Sequence, residues 1–391
     1  MSGIASPLAG SDQVHEPLLR PEELTRGTTQ GWWLFSAPVD LAVFLGSAAL
    51  ALVALAWGAY AGLLHEGTPD WTWITAVLFI DVAHVYATGF RVYLDPHELK
   101  RRPWLYTLTP LFGLALGVAL YSEGEMVFWR TLAYVAVFHF IRQQYGWVAL
   151  YRARLGERDG ASRWLDSATI YLATIYPLIW WHAHLPREFR WFYKNDFAAI
   201  PPALEQIVAP IYWTVLGFYA LNSVYRWLAR RPNPGKDMIV ATTAVCWYVG
   251  IIALNSDYAF TVTNVITHGV PYLALVYWYR YQRRESGERP LSTHLRRLGT
   301  FLATLWLVAY LEEMVWDRGV WHERSWLFGS AWNTGSLKMV LVPLLAVPQF
   351  THYVLDGFIW RRQGNPDFSL IPPSTRPGPH SSCENAPSAR T

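Results

Sequence analysis

The stretch KMVLVPLLAVPQFTHYVLDGFIW, residues 338–360, has one lysine at its edge, one aspartate (Asp356) and a histidine, His352, near its middle. Nearly all its other side chains are apolar or aromatic. A helix needs roughly 20 such residues to cross a bilayer core, so this stretch reads as a membrane span with an imidazole inside it. Working outward, the same criterion picks nine more stretches, at about 38–63, 71–94, 104–122, 126–151, 164–184, 207–228, 237–254, 257–282 and 298–316. The whole chain agrees. Of its 391 residues 52 % are hydrophobic and 16 % charged, against about 25 % charged in an average soluble domain. That excludes a soluble multidomain enzyme, a disordered scaffold and a disulfide-rich module. The expected fold is all-α: a polytopic integral membrane bundle of about ten transmembrane helices. The 22 Trp and 22 Tyr suit the lipid–water boundary, and Trp71, Trp73 and Tyr258 mark outer ends of spans.

Residues 1–33 are polar and hold no apolar region followed by a small-residue cleavage site, so the first span is expected to be retained. Residues 34–361 form the expected transmembrane domain, and 362–391, rich in Pro, Ser, Arg and Asn, a disordered cytoplasmic tail. Net charge is only +3, which implies no nucleic-acid partner. Cys246 lies in an apolar run and Cys383 in a polar tail, so no disulfide or paired metal ligand is expected. Nineteen Lys and Arg residues fall in loops after the even-numbered spans and six in the opposite loops. By the positive-inside rule both termini are cytoplasmic, in the cell (inner) membrane.

Of the 12 histidines, four are mid-span: His84, His139, His268 and His352. Their spans are all even-numbered and therefore expected to be parallel. They lie 13, 13, 11 and 14 residues from the outer starts, so at roughly 1.5 Å per residue the imidazoles share a depth to within about 5 Å. Ionisable groups at that depth are expensive. Four neutral imidazoles at one level make a first coordination shell for a transition metal such as Fe, Zn or Cu. A proton relay, a haem pocket and coincidence are the other readings.

Each histidine has polar companions at helical spacing. Asp81 and Thr88 flank His84, Asn264 and Tyr272 flank His268, and Gln349 and Asp356 flank His352. Arg142, Gln143, Gln144 and Tyr145 come after His139. A ligating histidine commonly donates its second N–H to a carboxylate, amide or carbonyl, which makes Asp81 and Asp356 the expected orienting groups. Asp356 has an alternative partner in Arg361 or Arg362. Arg142 is expected to turn inward toward Asp81 or Asp356, and Arg91 to snorkel to the headgroups. Tyr145, Tyr272 and Tyr353 would line an apolar tunnel. Pro271 and Pro348 can kink their helices, and Glu312 and Glu313 read as a solvated span end.

The segment Ala346 to Arg361, AVPQFTHYVLDGFIWR, resembles the last-helix motif of the bacterial and archaeal Brp/Blh-like membrane β-carotene dioxygenases. In that motif a proline precedes a histidine, followed by an aliphatic–Asp–aromatic–Ile–aromatic–Arg run. The match covers some 16 residues. Elsewhere the likeness is one of arrangement: His84, His139 and His268 fall where the family's other three histidines would fall, within different local sequences. That family uses a histidine-bound non-haem iron and O2 to split a carotenoid; for this chain the resemblance implies Fe(II) and oxygenase chemistry, and carotenoid specificity does not carry over.

Two function classes fit these features. One is an integral membrane metalloenzyme, a non-haem iron oxygenase acting on a lipophilic carotenoid- or lipid-like substrate. His84, His139, His268 and His352 would hold the metal (Fe(II), or another transition metal), with Asp81, Arg142, Tyr272 and Asp356 in the catalytic site. Its partners are the bilayer, the substrate and O2, with a homo-oligomer as one arrangement. The other class is a multi-pass transporter or proton-coupled carrier that uses the intramembrane His, Asp and Arg groups.

Overall fold

The computed structural model describes residues 31–281 and 290–361. Most of the polar segment 1–33, the tail 362–391 and the loop arginines Arg283, Arg284 and Arg289 lie outside the described residues. Among the described residues the fold is all helical and built on ten long helices. These are α1 (Ala37–Tyr60), α2 (Asp70–Arg91), α3 (Pro103–Glu123), α4 (Glu125–Arg154), α5 (Gly160–Ala183), α6 (Pro202–Leu228), α7 (Pro234–Ala253), α8 (Asp257–Tyr281), α9 (Leu291–Trp321) and α10 (Gly335–Ile359). Eight of them are long and apolar enough to cross a membrane, as in a multi-pass membrane protein. The other two, α4 and α5, coincide with the stretches expected at 126–151 and 164–184. They have the length, but charged and amide side chains such as Arg130, Arg142, Gln143, Gln144 and Asp166 lower their hydropathy.

Local sequence sets the helix starts. Pro103, Pro202 and Pro234 occupy first-turn positions, where a missing N–H is harmless. Ser36, Asp159, Asn233 and Ser256 cap α1, α5, α7 and α8 by accepting from the backbone N–H of Val39, Ser162, Lys236 and Ala259. The tight link between α3 and α4 is Gly124, whose φ of 144° suits glycine alone.

Packing places four helices around one centre. Helix α10 lies against α2, α3 and α4, while α8 lies against α1 and α2. Gly113 and Gly117 let α3 approach α10 closely: an added Cβ at Gly113 would come within 2.5 Å of the Phe350 ring. Helix α8 is the most enclosed of the eight apolar helices, with 78 % of its most apolar stretch buried, whereas α6 packs mainly on α5 and has 11 % buried. Two helices of the centre carry widened π-helical turns directly before their histidines, Trp73–Val82 in α2 and Thr261–Val265 in α8. Such turns rotate the next helical residues relative to a regular helix and recur at functional sites.

Two charged networks tie helix ends together. In one, Lys236 donates to Glu157 (3.0 Å) and Asp166 (2.9 Å), Arg152 pairs with the same two carboxylates, and Arg226 pairs with Glu157. Arg152, Arg226 and Lys236, counted by sequence as loop charges, are thus partly neutralised within a joint between α4, α5, α6 and α7. In the other, Arg91 is 0 % exposed. It pairs with Glu98 of the short helix Pro96–Arg101 at 2.9 Å, donates to the Ile359 carbonyl, and lies over the Tyr279 ring at 4.0 Å. The snorkelling expected of Arg91 does not occur, because a carboxylate and an aromatic face satisfy it inside the protein.

Candidate metal centre

His84 of α2, His139 of α4, His268 of α8 and His352 of α10 meet in the middle of the bundle, with exposures of 1, 4, 0 and 0 %. The Nε2 atoms of His84 and His268 are 3.1 Å apart, as are those of His139 and His352. Around the layer, ring centroids are separated by 4.8 Å (His84–His268), 5.1 Å (His268–His139), 4.6 Å (His139–His352) and 4.8 Å (His352–His84). Ligand atoms of His84, His139 and His268 all fall within 4.8 Å of one another, and so do those of His139, His352 and Asp356. The equal depth read from span offsets becomes, in three dimensions, convergence on one point.

Hydrogen bonds around the layer decide where its protons sit. Asp356 Oδ1 accepts from the Tyr272 hydroxyl at 2.7 Å and from the Trp360 indole at 3.1 Å. With its proton given to Asp356, Tyr272 can only accept from Thr88, 3.0 Å away. Thr88, its own proton so placed, accepts from His352 Nδ1 at 2.7 Å. His352 is therefore protonated on Nδ1 and turns a bare Nε2 to the centre. Asp356 Oδ2 lies 3.8 Å from His139 Nδ1, which favours the same tautomer there. With Nδ1 of His139 protonated as well, the two Nε2 atoms, 3.1 Å apart, are both free to bind a cation. Four imidazole nitrogens converging in this way match the donor set of a first-row divalent ion, and the residues present fit such a group.

Of the residues expected at the site, Asp81, Tyr272 and Asp356 are there. Asp81 Oδ1 is 3.5 Å from His84 Nδ1, without hydrogen-bond geometry. Asp356 uses Tyr272 and Trp360 and, among the described residues, does not pair with Arg361, while Arg362 lies outside them. Arg142 is not brought to the site. It is exposed, bonds the Tyr171 hydroxyl and lies over the Tyr145 ring at 4.9 Å. Three residues past His139 it leaves the inward face, and a tyrosine of α5 supplies its partner. Tyr145 goes with it, stacked on Tyr171 at 5.1 Å. Tyr353 does flank the centre, its ring lying on His139 at 4.8 Å. Glu312 is 7 % exposed rather than solvated and accepts from the Trp316 indole at 3.2 Å.

Other participants reach the site across helix interfaces. Spacing puts Thr88 on the face of His84, yet it serves His352 across a helix interface. Trp360 at the end of α10, the second aromatic of the motif at 346–361, donates to Asp356, and Phe140, stacked on His268 at 3.5 Å and 7°, carries no polar signal that would mark it. A cavity of about 780 Å³ lies elsewhere, among residues 64–67, Arg130, 185–190, 194–199 and Asp257. It is lined by oppositely charged groups rather than by the tyrosines expected of a tunnel. The chain matches no protein-family model, no curated protein and no solved structure.

Proposed function

We propose that the chain is a multi-pass enzyme of the cell (inner) membrane, with ten spans and both termini in the cytoplasm. In this reading it uses non-haem Fe(II) and O2 to oxidise a lipophilic, carotenoid- or lipid-like substrate. The observation that carries the reading is the convergence of four imidazoles from four helices, two pairs of Nε2 atoms each 3.1 Å apart. The resemblance of residues 346–361 to the membrane β-carotene dioxygenases supports iron over zinc or copper. His84, His139, His268 and His352 would hold the metal, which when bound would offer O2 a place beside the substrate. The chain's own groups do the rest. Thr88, Tyr272 and Asp356 keep the His352 proton on Nδ1, Asp81 stands behind His84, and burial of all four rings excludes water.

The test is metal analysis of protein purified in detergent from iron-replete cells. The expected result is near-stoichiometric iron, lost in His352→Ala at unchanged helicity. Full metal retention in that variant would overturn the reading. The carrier reading draws on Asp81 and Glu312, carboxylates at membrane depth with an oxygen lacking any hydrogen-bond partner. A metal-free preparation that moves solute across proteoliposomes would favour it.

A further inference from the structure

We infer that the four imidazoles are unequal and that His268 is the ligand that gives way, so that its place is where an incoming ligand binds. The inference rests on the metal-centre reading. The inequality lies behind the rings. His352 Nδ1 is held by the Thr88 hydroxyl at 2.7 Å. His84 Nδ1, though it makes no well-aligned bond, has the Asp81 carboxylate at 3.5 Å. His139 Nδ1 has Asp356 at 3.8 Å. His268 Nδ1 has no partner, although the residue is 0 % exposed. An acceptor behind a ligating imidazole fixes its orientation and raises its basicity. His268 lacks both aids and is the weakest donor of the four.

What holds the His268 ring is the face of Phe140, 3.5 Å away and 7° from parallel. Stacking resists tilting but leaves the ring free to turn within its own plane. A resting place for the turned ring also exists. One turn earlier on α8, Asn264 uses its Nδ2 on the Phe260 carbonyl and the Thr263 hydroxyl, while its Oδ1 is buried without a partner. Residues four apart on a helix are neighbours, so a ring that leaves the centre can give its Nδ1 proton to this oxygen. Two orphaned groups then satisfy each other as a coordination position opens. The ligand that suits it is a small nitrogen or oxygen donor.

The experiment loads purified full-length protein with Co(II), whose visible spectrum reports its ligands. Stoichiometry and Kd are measured for wild type and for His84→Ala, His139→Ala, His268→Ala and His352→Ala, with His268→Gln as a second probe should the alanine variant fold poorly. Both His268 variants are expected to keep Co(II) with affinity lowered by no more than about 10-fold, and the other three to lose more than about 100-fold. Added imidazole should restore the wild-type spectrum to His268→Ala. The inference is overturned if the His268 variants lose metal as fully as His352→Ala, or if imidazole leaves the His268→Ala spectrum unaltered. Wild type that takes up no Co(II) overturns the metal-centre reading itself, and with it the inference.

Discussion

Replacing Thr88 by valine keeps the shape of the side chain and removes one hydroxyl. That hydroxyl accepts from His352 Nδ1 at 2.7 Å and donates to Tyr272 at 3.0 Å. In Thr88→Val the His352 N–H is left buried with no acceptor. Tyr272 keeps its bond to Asp356 and loses only an incoming one. The stranded donor costs about 1–3 kcal/mol, and with the loss of the second bond the destabilisation should be about 2–3 kcal/mol. His352 is also released from its tautomer, which should lower metal affinity by about 10- to 100-fold. Thr88→Ser keeps the hydroxyl and should stay near wild type in both respects. Tyr272→Phe should be milder than Thr88→Val, because a threonine hydroxyl inside a helix can turn back to a carbonyl one turn earlier. The assays are SDS-titrated unfolding in mixed micelles, followed by circular dichroism, and Fe(II) binding by competition with a chromophoric chelator. Equal behaviour of the valine and serine variants, or a larger affinity loss in Tyr272→Phe than in Thr88→Val, would refute the proton assignment.

Glu98→Gln should strand the buried Arg91 guanidinium and cost about 3–5 kcal/mol in the same unfolding assay, and a loss below about 1 kcal/mol would contradict the ion pair. Arg142→Ala should change stability by less than about 0.5 kcal/mol and leave metal content intact; loss of metal would show that its exposed placement is wrong. Burial raises the carboxyl of Glu98, but Arg91, Tyr106 and Arg101 together outweigh it and hold the group below its ordinary 4.5. Burial likewise raises Glu157, outweighed by Lys236, Asn233 and Arg226. A value lowered by folding gives stability that is complete above the ordinary carboxylate range and is lost as pH falls through the folded-state value. Thermal stability should therefore hold from neutral pH down to about pH 5 and drop below it, with a shallower acid limb in Glu157→Gln; an unchanged limb in that variant would remove Glu157 from the account.

Depth and residue type were legible in the sequence, and contacts between helices were not. The four histidines stand out because an ionisable group in an apolar run is conspicuous, and helical rise converts position into depth. Asp81 and Asp356 could be placed beside them for the same reason. Spacing on one helix fixes a face but not what the face meets. Thr88, one turn from His84, bonds His352 instead. The two arginines exchanged their expected roles because each outcome depended on a remote residue: Glu98 draws Arg91 inward, and Tyr171 holds Arg142 outside. Phe140 matches the background composition of a membrane helix and becomes visible only through packing, while Trp360 is marked by its place in the last-helix motif but not by what it bonds. Helices α4 and α5 are legible by length and pattern, although their polar side chains set them apart from the eight apolar helices.

The carboxylates behind the rings imply a charge balance for the layer. Four neutral imidazoles carry no charge, while Asp81 and Asp356, each within 4 Å of a ring nitrogen, bring two negative charges when ionised. A divalent ion would cancel them, leaving the middle of the bundle electrically neutral, which is the condition under which charge is tolerated far from water. A monovalent ion would leave one negative charge uncompensated and a trivalent ion one positive. The pair of aspartates would thus select by valence among metals that the imidazoles alone accept by chemistry. Their negative charge would also make loss of an electron from a bound divalent ion easier than in the same ligand set without them, since a trivalent ion among neutral groups would stand wholly uncompensated.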